Sequence, residues 1–210
     1  TDIVEYAKLI NAAAGHLLSV INDILDISKM QSGRYTLDAG EVNIDDVLQA
    51  TYQANRAAAR EAGVSLDLEV ADPLPLVRGD STKLQQVFSN IVSNAIKFTL
   101  RDGAVKIEGV RLADGGVGVM IRDTGVGMSA QELKLATTPF GQVDGSRSRW
   151  REGTGLGLPI ARSLVELHGG HIRIDSEKGR GTEVGIFLPC ATTLNIREAR
   201  DVVLGSGGGA

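Results

Sequence analysis

Residues 2–30 repeat apolar side chains every three to four positions over the length of one long helix. Ile3, Ile10, Leu17 and Ile24 fall on one seam of a heptad, and Tyr6, Ala13, Val20 and Ile27 on the other. Leu18, Ile21 and Leu25 widen the stripe beyond a two-stranded seam, toward a bundle helix. Such a rod is roughly 40 Å long at 1.5 Å per residue, and it cannot bury the stripe against itself. It requires a partner helix, from a second chain or from upstream sequence. The opening "TDIVEYAKLI" is already in helical register and has no Met, so it reads as a piece of something longer. "QSGRYTLDAG" (31–40) ends the pattern and predicts a domain boundary. Residues 1–33 then form part of a bundle, residues 34–190 a second domain, and residues 191–210, ending in "GSGGGA", a tail expected to be partly disordered.

From about residue 36 the periodicity alternates. Asn43 is placed to cap a helix to about Glu61, with Asp45 and Asp46 in its first turn, where acids suit the dipole. "VSLDLEV" reads as a strand. Asp80 caps a helix that runs to about Phe98. "AVKIEGVRL" and "VGVMIRD" are strands joined by the turn "ADGG". Ser129 and Glu132 predict a capping box on a short helix. Residues 139–153 read as a loop, Thr154 to about His168 as a helix stopped by Gly169 and Gly170, and "HIRIDSE" and "TEVGIFLP" as closing strands. Strands interleaved with helices predict an α/β or α+β domain.

Composition narrows the function classes. Of 210 residues, 42% are hydrophobic and 23% charged, ordinary for a globular chain, and the net charge is −4. No basic stripe suits nucleic acid. No apolar run is long enough to span a membrane, and no signal peptide is visible. A single cysteine, Cys190, excludes an internal disulfide and fits a reducing, cytoplasmic setting.

Three clusters carry chemistry. In the helix 80–98, which contains most of "SNIVSNAIKFT" (89–99), Leu84, Val87, Phe88, Ile91, Val92, Ala95 and Ile96 make a full apolar face; Gln86, Asn90, Asn94 and Lys97 line the other. That second face is either solvated or the wall of a site. Solvated faces usually carry Glu and Lys. Amides instead offer donors and acceptors, an amide oxygen can ligate Mg²⁺, and a lysine one turn on can meet phosphate. In "RDTGVGM" (122–128) a strand delivers Asp123 into a Gly-x-Gly turn. A carboxylate there accepts from the exocyclic amine of adenine and repels the guanine carbonyl; the plain alternative is a glycine turn. In "EGTGLGLPIAR" (152–162), Gly153, Gly155 and Gly157 precede a helix, whose free N–H groups suit phosphate; the plain alternative is a loop end. The spacing matches neither the dinucleotide fingerprint nor a Walker loop.

Taken in order, these segments resemble the catalytic and ATP-binding domain of sensor histidine kinases, within the gyrase, heat-shock chaperone, histidine kinase and MutL ATPase group. "NIVSNAIKFT" looks like the N box, "DTGVG" the G1 box, "PFGQ" (139–142) the F box, "GTGLGL" the G2 box, and "GRGTEVGIFLP" the final Gly-Thr segment. "LLSVINDILDISKMQSG" looks like the second helix of the dimerisation and phosphotransfer bundle. The resemblance implies a two-layer α/β sandwich of the Bergerat type, with a mixed sheet covered by helices on one face, behind a long bundle helix. It implies ATP and Mg²⁺ as ligands. Asn94 would coordinate Mg²⁺ with Asn90 assisting, and Lys97 would contact phosphate. Asp123 would bind the adenine amine with Thr182 nearby, and Gly125 and Gly127 would shape the pocket floor. Gly153, Thr154, Gly155, Leu156 and Gly157 would hinge a lid and cradle phosphate. Phe140 would anchor that lid, with Arg147, Arg149 and Arg151 near the γ-phosphate.

The group's water-using ATPases carry a glutamate one turn before the metal-binding asparagine; here that position is Asn90, a poor general base. That favours transfer to a histidine over hydrolysis. The acceptor histidine expected on the first bundle helix is absent, and His16, His168 and His171 read as structural or surface residues. The resemblance thus implies a histidine kinase core that cannot phosphorylate itself alone. It would be a homodimer through its bundle helix and would serve a response-regulator receiver domain. Nucleic acid and direct membrane contact are not expected, although the parent could be anchored in the inner membrane. A degenerate kinase acting as a dimeric scaffold is the alternative, and an ATPase switch a weaker one.

Overall fold

A computed structural model describes residues 2–138, 141 and 154–191. The long helix forms as expected, as α1 (Asp2–Gln31). A short strand follows, β1 (Gly40–Val42), then α2 (Ile44–Ala62), capped by Asn43 accepting from the Asp45 N–H and closed by Gly63 in the left-handed conformation. Next come β2 (Ser65–Val70), β3 (Val77–Gly79) and α3 (Ser81–Phe98), with Asp80 accepting from the Lys83 N–H at its N-terminus. The hairpin β4 (Ala104–Arg111) and β5 (Val117–Asp123) leads to α4 (Ala130–Ala136), which carries the Ser129–Glu132 capping box. The chain then runs through α5 (Gly157–Leu167), β6 (His171–Glu177) and β7 (Gly181–Leu188).

Two details depart from the sequence reading. The helix expected from Thr154 begins at Gly157, because Gly155 takes a left-handed turn and residues 154–156 remain outside the helix. The short antiparallel pair β1–β3 was not anticipated; three residues per strand give too little alternation to read.

The main sheet has the order β2-β4-β5-β7-β6, with β2 parallel to β4 and the other pairs antiparallel. Its inner face presents Val105 and Ile107, Val117, Val119 and Ile121, and Val184, Ile186 and Leu188, all buried. Three helices cover that face, with α3 between α2 and α5. The result is the mixed-sheet, two-layer α/β sandwich expected. The outer face carries ions instead: Lys106 pairs with Glu69 at 2.6 Å and Glu108 at 2.9 Å, and Arg122 pairs with Glu108 and Glu183. Such exposed pairs keep the face soluble and add little stability each.

The C-terminal end of α1 touches the domain. Ile27 and Met30 pack against the core, and Lys83 Nζ lies 3.2 Å from Asp26 and 5.4 Å from the centre of the Tyr35 ring. Between α1 and α3 lies a polar groove of about 530 Å³ lined in part by Asp23, Asp26, Lys29 and Gln86. Among the described residues no helix is long and apolar enough to cross a membrane.

Candidate functional site

The amide stripe on α3 is half-buried, not solvated. Its apolar side, from Leu84 to Ile96, fills the core, and this fixes the rotation of the helix. Asn90 and Asn94 are thereby turned toward the start of α5, and Lys97 follows one turn on, half-buried. Asn90 Nδ2 donates to the Gly157 carbonyl at 3.3 Å. A Cβ at Gly157 would lie 3.7 Å from Asn94 Nδ2 and 3.8 Å from Asn90 Cγ, ordinary contact distances that place the start of α5 directly beside both amides. Lys97 Nζ lies 5.3 Å from the centre of the Phe98 ring.

Among the described residues no side chain caps the N-terminus of α5, unlike those of α2, α3 and α4. Its first N–H groups are left to a ligand or water. Thr154 Oγ1 accepts instead from the Leu156 N–H at 3.3 Å, just before the helix. Leu156 is fully buried in the core, and its N–H and carbonyl are taken by Thr154 Oγ1 and the Ile160 N–H. It pins the end of the glycine segment to the domain.

Asp123 ends β5. Its Oδ1 accepts from the Gly125 N–H at 2.8 Å and the Thr182 N–H at 3.2 Å. Among the described residues Oδ2 accepts no hydrogen bond, so one oxygen is committed to the protein and the other faces outward. Burial pushes the carboxyl above its usual range, although the two N–H donors pull it down. The following turn is locked to α3: the Val126 N–H donates to the Phe98 carbonyl at 3.1 Å, and the Gly179 N–H to the Val126 carbonyl at 2.7 Å. Gly127 has a positive φ, and a Cβ there would collide with the Glu177 carbonyl. The protein's own packing therefore demands this glycine, whatever a ligand adds. On the other side of the turn, Glu132 holds Ser129 and meets Lys178 Nζ at 2.7 Å; the Lys178 contact above all lowers its carboxyl to about 2.

The structure thus brings Asn90, Asn94, Gly157 and the uncapped end of α5 to the middle of α3. It brings Asp123, Gly125, Gly127 and Thr182 to the C-terminal end. Along α3, Asn90 lies about two turns and Asn94 about one turn before Phe98, where the second group sits, roughly 12 and 6 Å. Phe140, Gly153, Arg147, Arg149 and Arg151 lie outside the described residues. His168 is 2% exposed and structural: its Nε2 accepts from the Asp80 N–H at 3.0 Å and Nδ1 faces the Leu164 carbonyl at 2.6 Å. His171 stacks on Phe187 at 4.8 Å. Ser176 was missed in the sequence. It lies in "IRIDSE" at the same parity as Ile172 and Ile174, a hydroxyl on the core-facing side of β6, and that alternation was the available signal.

The donor set suits nucleotide with a hard cation better than a resident metal. Among the described residues no group of three or more His, Cys, Asp or Glu could hold a metal. The amide oxygens of Asn94 and Asn90 could complete the shell of a Mg²⁺ that arrives on phosphates.

Residues 79–192 match the model of the histidine kinase-, DNA gyrase B- and HSP90-like ATPase family, and the chain belongs to that family. Its fold is that of a histidine kinase ATP-binding catalytic domain. The chain is 41% identical over 186 residues to the histidine protein kinase DivJ of Caulobacter vibrioides, covering 88% of this chain and 31% of that protein. It is 36% identical over 198 residues to the circadian input-output histidine kinase CikA of Synechococcus elongatus, covering 93% and 26%. Both are about three times its length or more. In three dimensions it superposes on the crystal structure of full-length ShkA in complex with AMPPNP, with a TM-score of 0.77, 28% identity, and coverage of 90% of this chain and 39% of the other. It also superposes on the mycobacterial sensor histidine kinase MprB, with a TM-score of 0.60, 28% identity, and coverage of 72% and 97%.

Proposed function

We propose that this chain binds Mg²⁺-ATP and transfers the γ-phosphoryl group to a histidine on a helix outside it, for relay to a response-regulator aspartate. The convergence of an amide stripe and an uncapped helix N-terminus along the middle of α3, with a desolvated Asp123 beside its C-terminal end, carries this reading. Asp123 Oδ2 accepts from the adenine amine, beside Thr182. Asn94, assisted by Asn90, supplies oxygen ligands to Mg²⁺, which when bound neutralises charge on the phosphates. Lys97 and the first N–H groups of α5 take the remaining phosphate charge. The imidazole nitrogen attacks phosphorus with its own lone pair, and ADP leaves with the electrons of the broken P–O bond.

Transfer is favoured over hydrolysis by Asn90, which stands one turn before Asn94. It is an amide whose N–H is held by Gly157, and it cannot take a proton from water. The exposed stripe of α1 supports homodimerisation through a helix bundle. The response-regulator receiver domain and a cytoplasmic setting follow from the same reading, with any inner-membrane anchor belonging to the parent protein.

Calorimetry with Mg²⁺-ATP, and GTP as control, tests the site. The wild type should bind ATP and not GTP, and Asn94→Ala and Asp123→Ala should each lose at least about tenfold in affinity while staying folded. Labelled phosphate should move from ATP to an isolated acceptor-helix domain, with little free phosphate released. A folded wild type that ignores ATP would favour the scaffold, and rapid phosphate release the ATPase.

A further inference from the structure

One row of the sheet places three oxygen-bearing side chains in line. Asp123 of β5 pairs with Thr182 of β7, which pairs with Ser176 of β6. Directly paired residues share a face of the sheet. The next row inward on that face is Ile121, Val184 and Ile174, so the three oxygens stand at the rim of the helix-covered side. Ser176 Oγ accepts from the Met128 N–H at 2.8 Å, in the turn that follows Asp123. It lies 2.8 Å from Thr182 Oγ1 and 3.2 Å from the Gly181 carbonyl oxygen.

Proton counting gives this cluster two states. A serine hydroxyl has one proton to donate. In the first state Ser176 donates to the Gly181 carbonyl and Thr182 donates to Ser176, so Thr182 shows only lone pairs to the site. In the second Ser176 donates to Thr182, and the Thr182 proton turns outward. At 3.2 Å the Gly181 contact is long for an O–H donor, so moving between the states gives up only a weak bond.

We propose that Ser176 is a positioning residue for base selection: it directs the Thr182 hydroxyl to donate into the nucleotide site beside Asp123. The inference rests on the ATP reading above and deepens it. An adenine edge offers an amine donor next to the N1 acceptor. A carboxylate acceptor beside a hydroxyl donor complements that pair, directly or through one water, whereas a guanine edge presents the reverse order. Asp123 reads the amine, and the Ser176–Thr182 pair reads N1.

The test is calorimetric binding of ATP and of 1-deaza-ATP, which carries C–H in place of N1, to the whole chain and to Ser176→Ala and Ser176→Thr. The wild type should prefer ATP by about five- to tenfold, the worth of one hydrogen bond. Ser176→Ala should lose most of that preference by weakening ATP and not the analogue, and Ser176→Thr should keep it. If Ser176→Ala does not fold, as judged by its melting curve, the nearly isosteric Ser176→Cys takes its place with the same expected result. A purely structural role would weaken both ligands alike. That outcome, an unchanged preference in the alanine variant, or no preference in the wild type, overturns the assignment of Ser176 and leaves ATP binding intact. Failure of the folded wild type to bind ATP removes the nucleotide reading and this inference with it.

Discussion

Helices α1 and α3 carry similar apolar stripes and meet opposite fates. In α3 the apolar side chains from Leu84 to Ile96 are buried, between α2, α5 and the sheet. In α1, Ile10 is 69% exposed and Leu17 61%, and only the C-terminal turns reach the domain. Periodicity states that a helix has an apolar side. It does not state where the partner is. For α3 the partners are in the chain; for α1 they are not among the described residues. The polar sides differ too. That of α1 is ordinary, whereas that of α3 is an amide wall pressed against the start of α5.

The largest expected effect breaks the apparent equivalence of the two stripes. Phe88→Ala at the centre of α3 should cost about 3–5 kcal/mol of unfolding free energy in urea, while Leu17→Ala in α1 should change it by about 0.5 kcal/mol or less in dilute solution. Equal costs would mean that α1 is buried in solution. Self-association should show the other side of the contrast. Light scattering at rising concentration should find a dimer, and Leu17→Glu should weaken it by about 1–3 kcal/mol, since a charge would enter an apolar seam. A monomer at every concentration would sink that expectation.

The junction of the two helices should give a smaller effect. Asp26 and Lys83 are 17% and 27% exposed, so a double-mutant cycle with Asp26→Asn and Lys83→Met should show coupling of about 0.5–1 kcal/mol. No coupling would leave Ile27 and Met30 as the whole attachment.

The smallest expected effect is a pH slope from His168, which joins α5 to the start of α3. Burial lowers its proton affinity in the fold, against the pull of the Leu164 carbonyl and Asp80. The unfolded chain then binds the proton more readily. The stability from the neutral imidazole is present above the ordinary histidine value of about 6.5 and is lost as pH falls below it. Urea midpoints should fall from pH 7.5 to 5.5; a flat profile would show that His168 takes up its proton as readily in the fold as in the unfolded chain.

Much of the fold was legible because its signals are local. Asn43, Asp80 and Ser129 cap helices through hydrogen bonds made within three residues, and the hairpin β4–β5 shows in its alternation. The start of α5 was misread because the left-handed Gly155 and the buried Leu156 hold residues 154–156 outside the helix, and that burial depends on the rest of the core. The β1–β3 pair joins segments far apart in the chain, so neither strand announces the other.

The candidate site divides in the same way. Asp123, Asn90 and Asn94 stood out because a carboxylate before a glycine turn and amides on one helix face are odd locally. Ser176 did not, because its hydrogen bonds run to Met128, Gly181 and Thr182 across two strands and a turn.

By itself, then, the sequence determined the helices, most of the strands and the amide face, since capping and periodicity act over a few residues. Tertiary structure alone decided that Gly157 abuts Asn90 and Asn94, that one Asp123 oxygen is spent on backbone while the other is left, and that Ser176 stands in line with Thr182. The first joins segments 67 residues apart and the second segments 59 apart, while Ser176 and Thr182 are only six apart yet meet through strand pairing; all are fixed by strand register and by the rotation that a buried apolar face imposes on α3.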